Sequence, residues 1–329
     1  MSSFVLCARN VDSSTQLFGG SFGGTSYLSI EDDTVACPLP SHKIGLKAWL
    51  DAIMMQASPK LGDPDRKLDV VFFVHGYNIN PAEALLRQRL IEKELNQRNC
   101  PCMVIGFDWP TEGTAAAYLY DRSQAQLAAA LLVKAGIIPF AKYSAKDCPV
   151  NVHVLAHSMG GFVVREAFRS MDKIRDADMP NDWRVGQMVM FAADISSDCF
   201  AVGHPDMQPV FDHCGRLTNY FSGYDEALGV SSVKNLDISS RVGRVGMPTN
   251  TPAPIKAVDV DCGPLYASVG NRVLNAIHGI VSHSWYLEDA IWLDDLAFTL
   301  AGRLDRNVIP NRDHFENGKF ALKSTRLAT

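Results

Sequence analysis

Ser158 is the residue of this chain whose type and setting are best suited to chemistry. It stands in the hexapeptide AHSMGG, residues 156–161, between the apolar run VNVHVL and a segment with helical spacing of apolar residues. A serine alcohol is a weak nucleophile at neutral pH and needs a base beside it. A sharp strand-to-helix turn, usually written G-x-S-x-G, exposes the serine oxygen and requires small neighbours, here Ala156 and Gly160. Although Ala156 replaces the usual glycine, we predict that Ser158 is the nucleophile of an acyl-transfer reaction.

The block VVFFVHGYN, residues 70–78, ends at a second position with a chemical role. In acyl transfer, preorganised backbone N–H groups stabilise the developing oxyanion. One of two such groups comes from the residue after the nucleophile, here Met159, and the other from the loop after an earlier strand. Because Gly76 allows close backbone approach, we assign the second N–H to Tyr77. A plain glycine turn is the alternative interpretation, and for His75 itself we predict a structural, hydrogen-bonding role and no catalytic one.

Short apolar runs alternate along the chain with longer segments of helical period. Strands are predicted at Leu68–Val74, Met103–Phe107 and Val150–Leu155, and roughly at 187–192, 217–221 and 255–260. Helices are predicted after the N-cap Asn80, with Glu83 at the capping-box position, and over 121–135, after 161 and over 285–300. This alternation indicates an α/β fold, with a mostly parallel sheet covered by helices on both faces.

The blocks VHGYN, GFDWP and AHSMGG, in this order and at this spacing, resemble the α/β-hydrolase superfamily, in particular a poorly characterised bacterial branch of esterase- and lipase-like proteins. Two further blocks fit the same branch, DEAL at 225–228 and HSWY at 283–286. The resemblance covers roughly residues 68–300. It implies the α/β-hydrolase fold and a Ser–acid–His triad, and it implies no particular substrate.

The order Ser, then Asp or Glu, then His leaves few candidates for the acid and the base. His283 is preferred as the base because it lies just before the final predicted helix, with His278 as runner-up and His314 in a polar tail. Asp225 is preferred as the acid that orients the imidazole, since it follows the predicted strand LTNYF after a short turn. Asp194 is the main rival, and capping of the next helix is the alternative role of Asp225. Weaker candidates for the acid are Asp237, Asp259 and Asp261.

Other side chains carry weaker signals. Trp109 is a possible part of the substrate pocket, and packing under a loop is an equal alternative. Cys199, His204, His213 and Cys214 offer sulfur and nitrogen ligands of the kind zinc binds, but their spacing fits no established zinc motif. An insertion loop with unrelated polar residues is therefore the favoured interpretation. The chain has no HExxH, P-loop or dinucleotide fingerprint, so we expect no metal and no cofactor.

Composition limits the class of protein. The chain has 329 residues, 47% of them hydrophobic and 20% charged, with a net charge of −5. These values are typical of a globular protein and lack the basic footprint of a nucleic-acid-binding protein. The apolar run 127–141 is too short to span a bilayer, which favours a core helix over a membrane segment. We expect a small-molecule ester as the ligand, while the oligomeric state is left open.

The N-terminus lacks the basic and then apolar pattern of a signal peptide, and eight cysteines are scattered without a pairing pattern. Both features favour reduced thiols and a cytoplasmic location. The order of blocks predicts one α/β domain over residues 1–329. Its expected accessory parts are an irregular N-terminal segment at 1–60, with edge strands as an alternative, insertion loops at 195–216 and 229–254, and a polar tail at 311–329.

Overall fold

The computed structural model describes residues 2–57, 68–111, 118–144, 150–172, 183–229, 240–251, 256–269, 274, 277, 279–315 and 319–325. Within these residues the strands are β1 (Ser3–Val11), β2 (Phe18–Ile30), β3 (Lys43–Ile44), β4 (Leu68–Val74), β5 (Cys102–Asp108), β6 (Val150–His157), β7 (Val185–Phe191), β8 (Cys214–Phe221), β9 (Ala257–Asp261), β10 (Arg312–His314) and β11 (Lys319–Leu322). They form one sheet in the order β10-β11-β9-β8-β7-β6-β4-β5-β1-β2-β3.

The sheet is parallel from β11 to β1, and its antiparallel pairs lie at the two edges, where β10 joins β11 and β2 joins β1 and β3. The central strands β4, β5 and β6 pair in register, so that Val74 lies beside both Phe107 and Ala156. Strand β5 is buried at every position, which is what a sheet covered on both faces requires of its central strands. The predicted mostly parallel sheet is confirmed.

The described helices are α1 (Leu46–Ala57), α2 (Pro81–Gln97), α3 (Tyr118–Leu131), α4 (Ile138–Ser144), α5 (Met159–Asp172), α6 (Gln208–His213), α7 (Val242–Val245), α8 (Gly263–Val269), α9 (Val281–Ser284) and α10 (Ala290–Ala301). Alternate side chains of β4 enter opposite cores. Phe72 packs in the cluster that includes Trp49 and Phe140, and Phe73 packs in the cluster that includes Trp292. Helices therefore cover both faces, as predicted.

Helix starts follow the capping chemistry that the sequence indicates, with two differences. Asn80 caps α2 by accepting the backbone N–H of Glu83 at 2.9 Å, as predicted. The carboxylate of Glu83 binds Arg87 at 2.6 Å, one turn along the helix, where the capping-box prediction has it reach back to the cap. The predicted last helix begins later than expected, because Trp285–Glu288 forms a 3₁₀ turn and Asp289 caps α10.

The predicted core helix over the apolar run 127–141 forms with a change of pitch. A π-helical turn, Leu132–Ile137, joins α3 to α4. Among the described residues, the continuous stretch Tyr118–Lys142 is the one helix long and apolar enough to cross a membrane, and 61% of its most apolar window is buried inside the protein. Phe140 packs against Trp49 and Phe72, with ring centroids 5.8 and 5.9 Å apart. These contacts place the helix in the core, as predicted.

Both ends of the chain differ from their predictions. Residues 1–60 were expected to be an irregular segment or to add edge strands; β2 and β3 do lie at the edge of the sheet, but β1 pairs in parallel with β5 and is mostly buried. The tail 311–329 was expected to be polar surface, but β11 pairs with β9 and the Arg312 guanidinium lies 2.6 Å from the buried Asp295 carboxylate. Each strand finds its hydrogen-bonding partner far away along the chain, which local residue patterns do not reveal. The insertion at 195–216 contains α6 and the start of β8, and the insertion at 229–254 contains α7.

Candidate active site

Ser158 lies on a sharp turn between β6 and α5. Its φ is +55°, in the left-handed region that a serine rarely adopts. The turn is possible because two residues packed against it, Gly160 and Gly76, are glycines. A Cβ added at Gly160 would lie 2.3 Å from the Val74 carbonyl oxygen, and one added at Gly76 would lie 2.8 Å from the Ser158 Cβ. The Ser158 carbonyl accepts the backbone N–H of Asp194 at 3.0 Å, which fixes the turn against the loop after β7.

His283 and Asp225 are brought together although they lie 58 residues apart in the chain. The Nδ1 atom of His283 lies 2.7 Å from Oδ2 of Asp225. Asp225 is fully buried, and its other oxygen accepts the backbone N–H of Leu228 at 3.0 Å. The side chain therefore caps the following helical turn and binds the imidazole at once, so the two roles considered for it coexist. With Nδ1 engaged, Nε2 is the nitrogen of His283 left for a reacting proton.

The rival acid and the one described rival base contact other groups. Asp194 accepts the phenol O–H of Tyr118 at 2.8 Å and lies 3.2 Å from Nε of Arg241. His314 lies in the edge strand β10, edge-on to the Phe320 ring. His278 lies outside the described residues, as does Asp237. The geometry therefore pairs His283 with Asp225.

A cavity of about 380 Å³ opens above Ser158. Its wall holds both Ser158 and His283, together with Tyr77 from the loop after β4. The other described residues of the wall are Asn78, Ile79, Glu83, Arg87, Tyr118, His157, Asp194, Ala227, Leu228, Gly279, Ile280 and Ser284. Met159 is the first residue of α5, where backbone N–H groups have no partner within the helix. Both residues assigned to the oxyanion site thus adjoin the serine.

The loop that carries Tyr77 is held from behind by a buried polar network. Asp108, at the end of β5, lies 2.7 Å from Nε of Arg9 and 3.1 Å from Nε2 of His75. The indole N–H of Trp109 donates to the His75 carbonyl at 2.8 Å, and the two rings stack at 5.4 Å. His75 is thus structural, as predicted. Trp109, the possible pocket residue, is fully buried and is not among the described residues that line this cavity.

The polar side chains of the cavity wall that were missed in the sequence include Glu83, Arg87 and His157. Glu83 and Arg87 are one helical turn apart on α2, and His157 precedes the nucleophile. The i, i+4 spacing of Glu83 and Arg87 indicates an ion pair, but the face of α2 that meets the cavity is set by how the helix packs on the sheet. The position of His157 next to Ser158 was the one local sign of a role in the site.

A second cavity, also about 380 Å³, lies beyond Asp194 and gathers part of the cysteine and histidine set. Three potential ligand atoms, one from each of Cys199, His204 and Asp206, lie within 4.8 Å of one another. Nη1 of Arg165 lies 3.9 Å from the Cys199 sulfur and 3.5 Å from an Asp206 oxygen, and the thiol itself lies 3.7 Å from that carboxylate, so a guanidinium already pairs with both groups.

The other two residues of that set lie apart from the second cavity. His213 stacks on Trp183 with ring centroids 4.1 Å apart, and Cys214 is buried at the start of β8. The four residues singled out in the sequence therefore do not form one ligand set.

Comparison with known proteins agrees with this architecture. Residues 58–259, more than half of the chain, match a family model described as "Alpha/beta hydrolase of unknown function (DUF900)". The chain therefore belongs to this family of α/β hydrolases, and the predicted fold class is confirmed. No curated protein matches it in sequence.

Solved structures similar to this chain include carboxyl esterase 2 from the mycorrhizal fungus Tuber melanosporum and a fungal esterase from Rhizomucor miehei. The first is 17% identical, with 59% of this chain and 57% of that chain covered and a TM-score of 0.30. The second is 10% identical, with 81% of this chain and 94% of that chain covered and a TM-score of 0.38. The assignment to the hydrolase family rests on the family model and on the sheet.

Proposed function

We propose that this α/β hydrolase is a serine enzyme that cleaves carboxylic esters of small molecules through an acyl-enzyme, in the cytoplasm and without a cofactor. The observation that carries the proposal is the 2.7 Å contact between Asp225 and His283 in the wall that also holds Ser158. A serine needs an adjacent base, and the base needs an orienting group, and these three side chains supply both.

In the first half of the reaction, Nε2 of His283 takes the proton of Ser158 as its Oγ forms a bond to the ester carbonyl carbon. The carbonyl electrons move onto oxygen, and the N–H groups of Tyr77 and Met159 stabilise the negative charge. When the tetrahedral intermediate collapses, the bond to the alcohol oxygen breaks. His283 returns its proton to that oxygen, and the alcohol leaves an acyl group on Ser158.

In the second half, His283 takes a proton from a water molecule, whose oxygen attacks the acyl carbon. Collapse breaks the bond to Ser158, which recovers its proton from His283, and the carboxylic acid is released. Asp225 stabilises the imidazolium in both halves. Because its carboxylate is fully buried, its attraction to the imidazolium is little screened by water.

The cavity supports a small substrate. Its volume of about 380 Å³ lies in the range of small-molecule sites. Each buried charge in its wall has a counter-charge, since Arg87 pairs with Glu83 and Asp194 pairs with Arg241. A neutral ester fits such a wall better than a charged one, because a charged group would need a partner of its own.

A panel of p-nitrophenyl esters from acetate to palmitate tests the proposal. Ser158→Ala should lower kcat by on the order of 10⁶, as for another triad enzyme. Ser170→Ala is the matched control, since its hydroxyl only bonds a carbonyl of the same helix, α5, away from the cavity. A fluorophosphonate should label wild type at Ser158 alone. Full activity in Ser158→Ala would refute the mechanism.

Two further comparisons separate the alternatives. Asp225→Asn should lower kcat by about 10⁴, by analogy with an acid replaced in another triad, and far more than Asp194→Asn. The reverse order would make Asp194 the acid. Matched amide and thioester substrates separate ester hydrolysis from amidase or thioesterase activity. A product with an added alcohol would reveal acyl transfer, and failure of wild type to label would indicate a non-catalytic interaction module.

A further inference from the structure

We propose that His157 is a positioning residue of this reaction, which holds the backbone of His283 through a tautomer that Arg87 selects. The inference rests on the proposed function, because it concerns how the proposed base is kept beside the nucleophile. His157 is the last residue of β6 and immediately precedes Ser158. Any group that it holds is therefore held relative to the nucleophile itself.

The ring of His157 is packed on two sides. It stacks on Phe191, the last residue of β7, with centroids 4.7 Å apart, and it contacts the ring of His283 at 4.8 Å. Its Nε2 lies 3.1 Å from the backbone carbonyl oxygen of His283. Since the side chain is 3% exposed, these contacts are shielded from water. They join α9 to the nucleophile strand across 126 positions of sequence.

The partners of His157 determine where its proton lies. Nη1 of Arg87 is 3.5 Å from Nδ1 of His157, and a guanidinium can only donate a hydrogen bond. Nδ1 is therefore the acceptor, and Nε2 carries the hydrogen that is donated to the His283 carbonyl. Arg87 is itself fixed, because Glu83 accepts its Nη2 at 2.6 Å and its Nε at 3.2 Å. Arg87 thus donates to Glu83 on one side and to His157 on the other, and His157 in turn donates to the His283 carbonyl.

The same surroundings keep His157 neutral. Burial, and then the charges of His283 and Arg87, hold the pKa of His157 well below its usual range. The ring therefore stays uncharged beside His283 when the latter becomes an imidazolium. Because its protonated nitrogen faces a carbonyl and its other nitrogen faces Arg87, His157 has no lone pair available for the proton of Ser158. It acts through His283 and is not a second base.

The expected consequence is a loss in kcat. A general base must lie within hydrogen-bond reach of the proton that it takes, and a misplacement of about 1 Å can cost ~10²-fold in rate. Helix α9 spans only four residues, Val281–Ser284, so little of its own structure fixes His283. The hydrogen bond from His157 ties the His283 backbone to the turn around Ser158.

Two substitutions of His157 test the role. His157→Phe keeps a flat ring against Phe191 but removes the donor, and we expect kcat to fall ~10²-fold with KM little changed. His157→Gln offers an amide N–H to the His283 carbonyl and an amide oxygen to Arg87, and it should recover most of that loss. A kcat for His157→Phe equal to wild type, or a glutamine variant as slow as the phenylalanine variant, would overturn the proposal.

A further variant decides the matter if His157→Phe does not fold. The double variant Arg87→Met with Glu83→Gln removes both charges of the buried ion pair. It leaves the His157 ring in place but takes away the donor that makes Nδ1 the acceptor. We expect a smaller fall in kcat in the same direction, because the His283 carbonyl alone still favours the Nε2–H tautomer, and an unchanged kcat would overturn the role of Arg87. Fluorophosphonate labelling of wild type at Ser158 is measured alongside. If the wild-type enzyme is labelled but the His157 variants keep the wild-type kcat, the positioning role fails while the proposed function stands.

Discussion

Replacement of Asp108 by asparagine tests how the loop that carries Tyr77 is held. The Asp108 carboxylate lies 2.7 Å from Nε of Arg9, and both side chains are 2% exposed. Nη2 of Arg9 donates to the Ile79 carbonyl at 2.8 Å, and His75 shares the same carboxylate oxygen. The ion pair therefore joins β1 and β5 to both ends of the loop after β4.

The magnitude follows from burial. Asparagine keeps the shape of the side chain but leaves the Arg9 guanidinium buried without a counter-charge, and such a loss costs about 3–5 kcal/mol. Burial alone would raise the pKa of Asp108, but the charge of Arg9 and the hydrogen bond from His75 outweigh it and hold the pKa below its usual value. Because the folded pKa is lowered, this stability is present above the unfolded pKa of about 4. It is lost as the pH falls through the folded value.

Urea unfolding at pH 7, followed by tryptophan fluorescence, measures the effect. The double variant Arg9→Met with Asp108→Asn removes both charges and should recover most of the loss, which a double-mutant cycle reports as coupling. Asp313→Asn is the matched control, since its carboxylate is 62% exposed and 4.0 Å from Lys323. It should change the free energy of unfolding by less than ~0.5 kcal/mol. A single Asp108 variant as stable as this control, or a double variant no better than the single one, would refute the reasoning.

Two further predictions concern a buried acid and the turn. Burial raises the pKa of Asp259 to about 6, so the folded state holds this proton to a higher pH than the unfolded state does. Stability should therefore fall as the pH rises from about 4 to about 6. Asp259→Asn should remove that fall because asparagine does not titrate, and a flipped Asn219 amide can accept its N–H. A Tm of this variant that still falls across the same pH range would contradict the prediction. Gly160→Ala should lower both Tm and Ser158 labelling, because the new Cβ would lie 2.3 Å from the Val74 oxygen. Gly223→Ala, which meets nothing within 4 Å, should change neither, and equal losses in both variants would contradict the prediction.

The sequence predicted those parts of the fold that local pattern determines. Leu68–Val74 reads as a buried strand and is one, and Asn80 caps the helix where its side chain and the following proline indicate. The turn at Ser158 was also predictable, because small residues and a strand–helix junction are both visible in the chain. In each case the causes lie within a few neighbouring residues.

The remainder depends on residues distant in sequence. Arg312 reads as part of a polar tail because its partner Asp295 is brought to it only by the pairing of β11 with β9. His157 reads only as part of the turn around Ser158, since the His283 carbonyl that it binds lies 126 positions away. Trp109 was a pocket candidate because it follows a strand near the site, but its ring stacks on His75 and is fully buried. Such contacts are set by the arrangement of the sheet.

The backbone strain of the described chain is concentrated at this site. Of five described residues other than glycine with positive φ, three follow neighbouring strands: Asn78 at 58° after β4, Ser158 at 55° after β6 and Ala192 at 49° after β7. A side chain in this region costs free energy, so it persists only where the surroundings fix it. Here the fixing contacts come from the sheet, since Ser158 donates its N–H to the Phe191 carbonyl and Ala192 donates to the Tyr220 carbonyl. The buried parallel strands thus stabilise the strained ends that position the serine, and variants that weaken their packing should slow acylation before they unfold the chain.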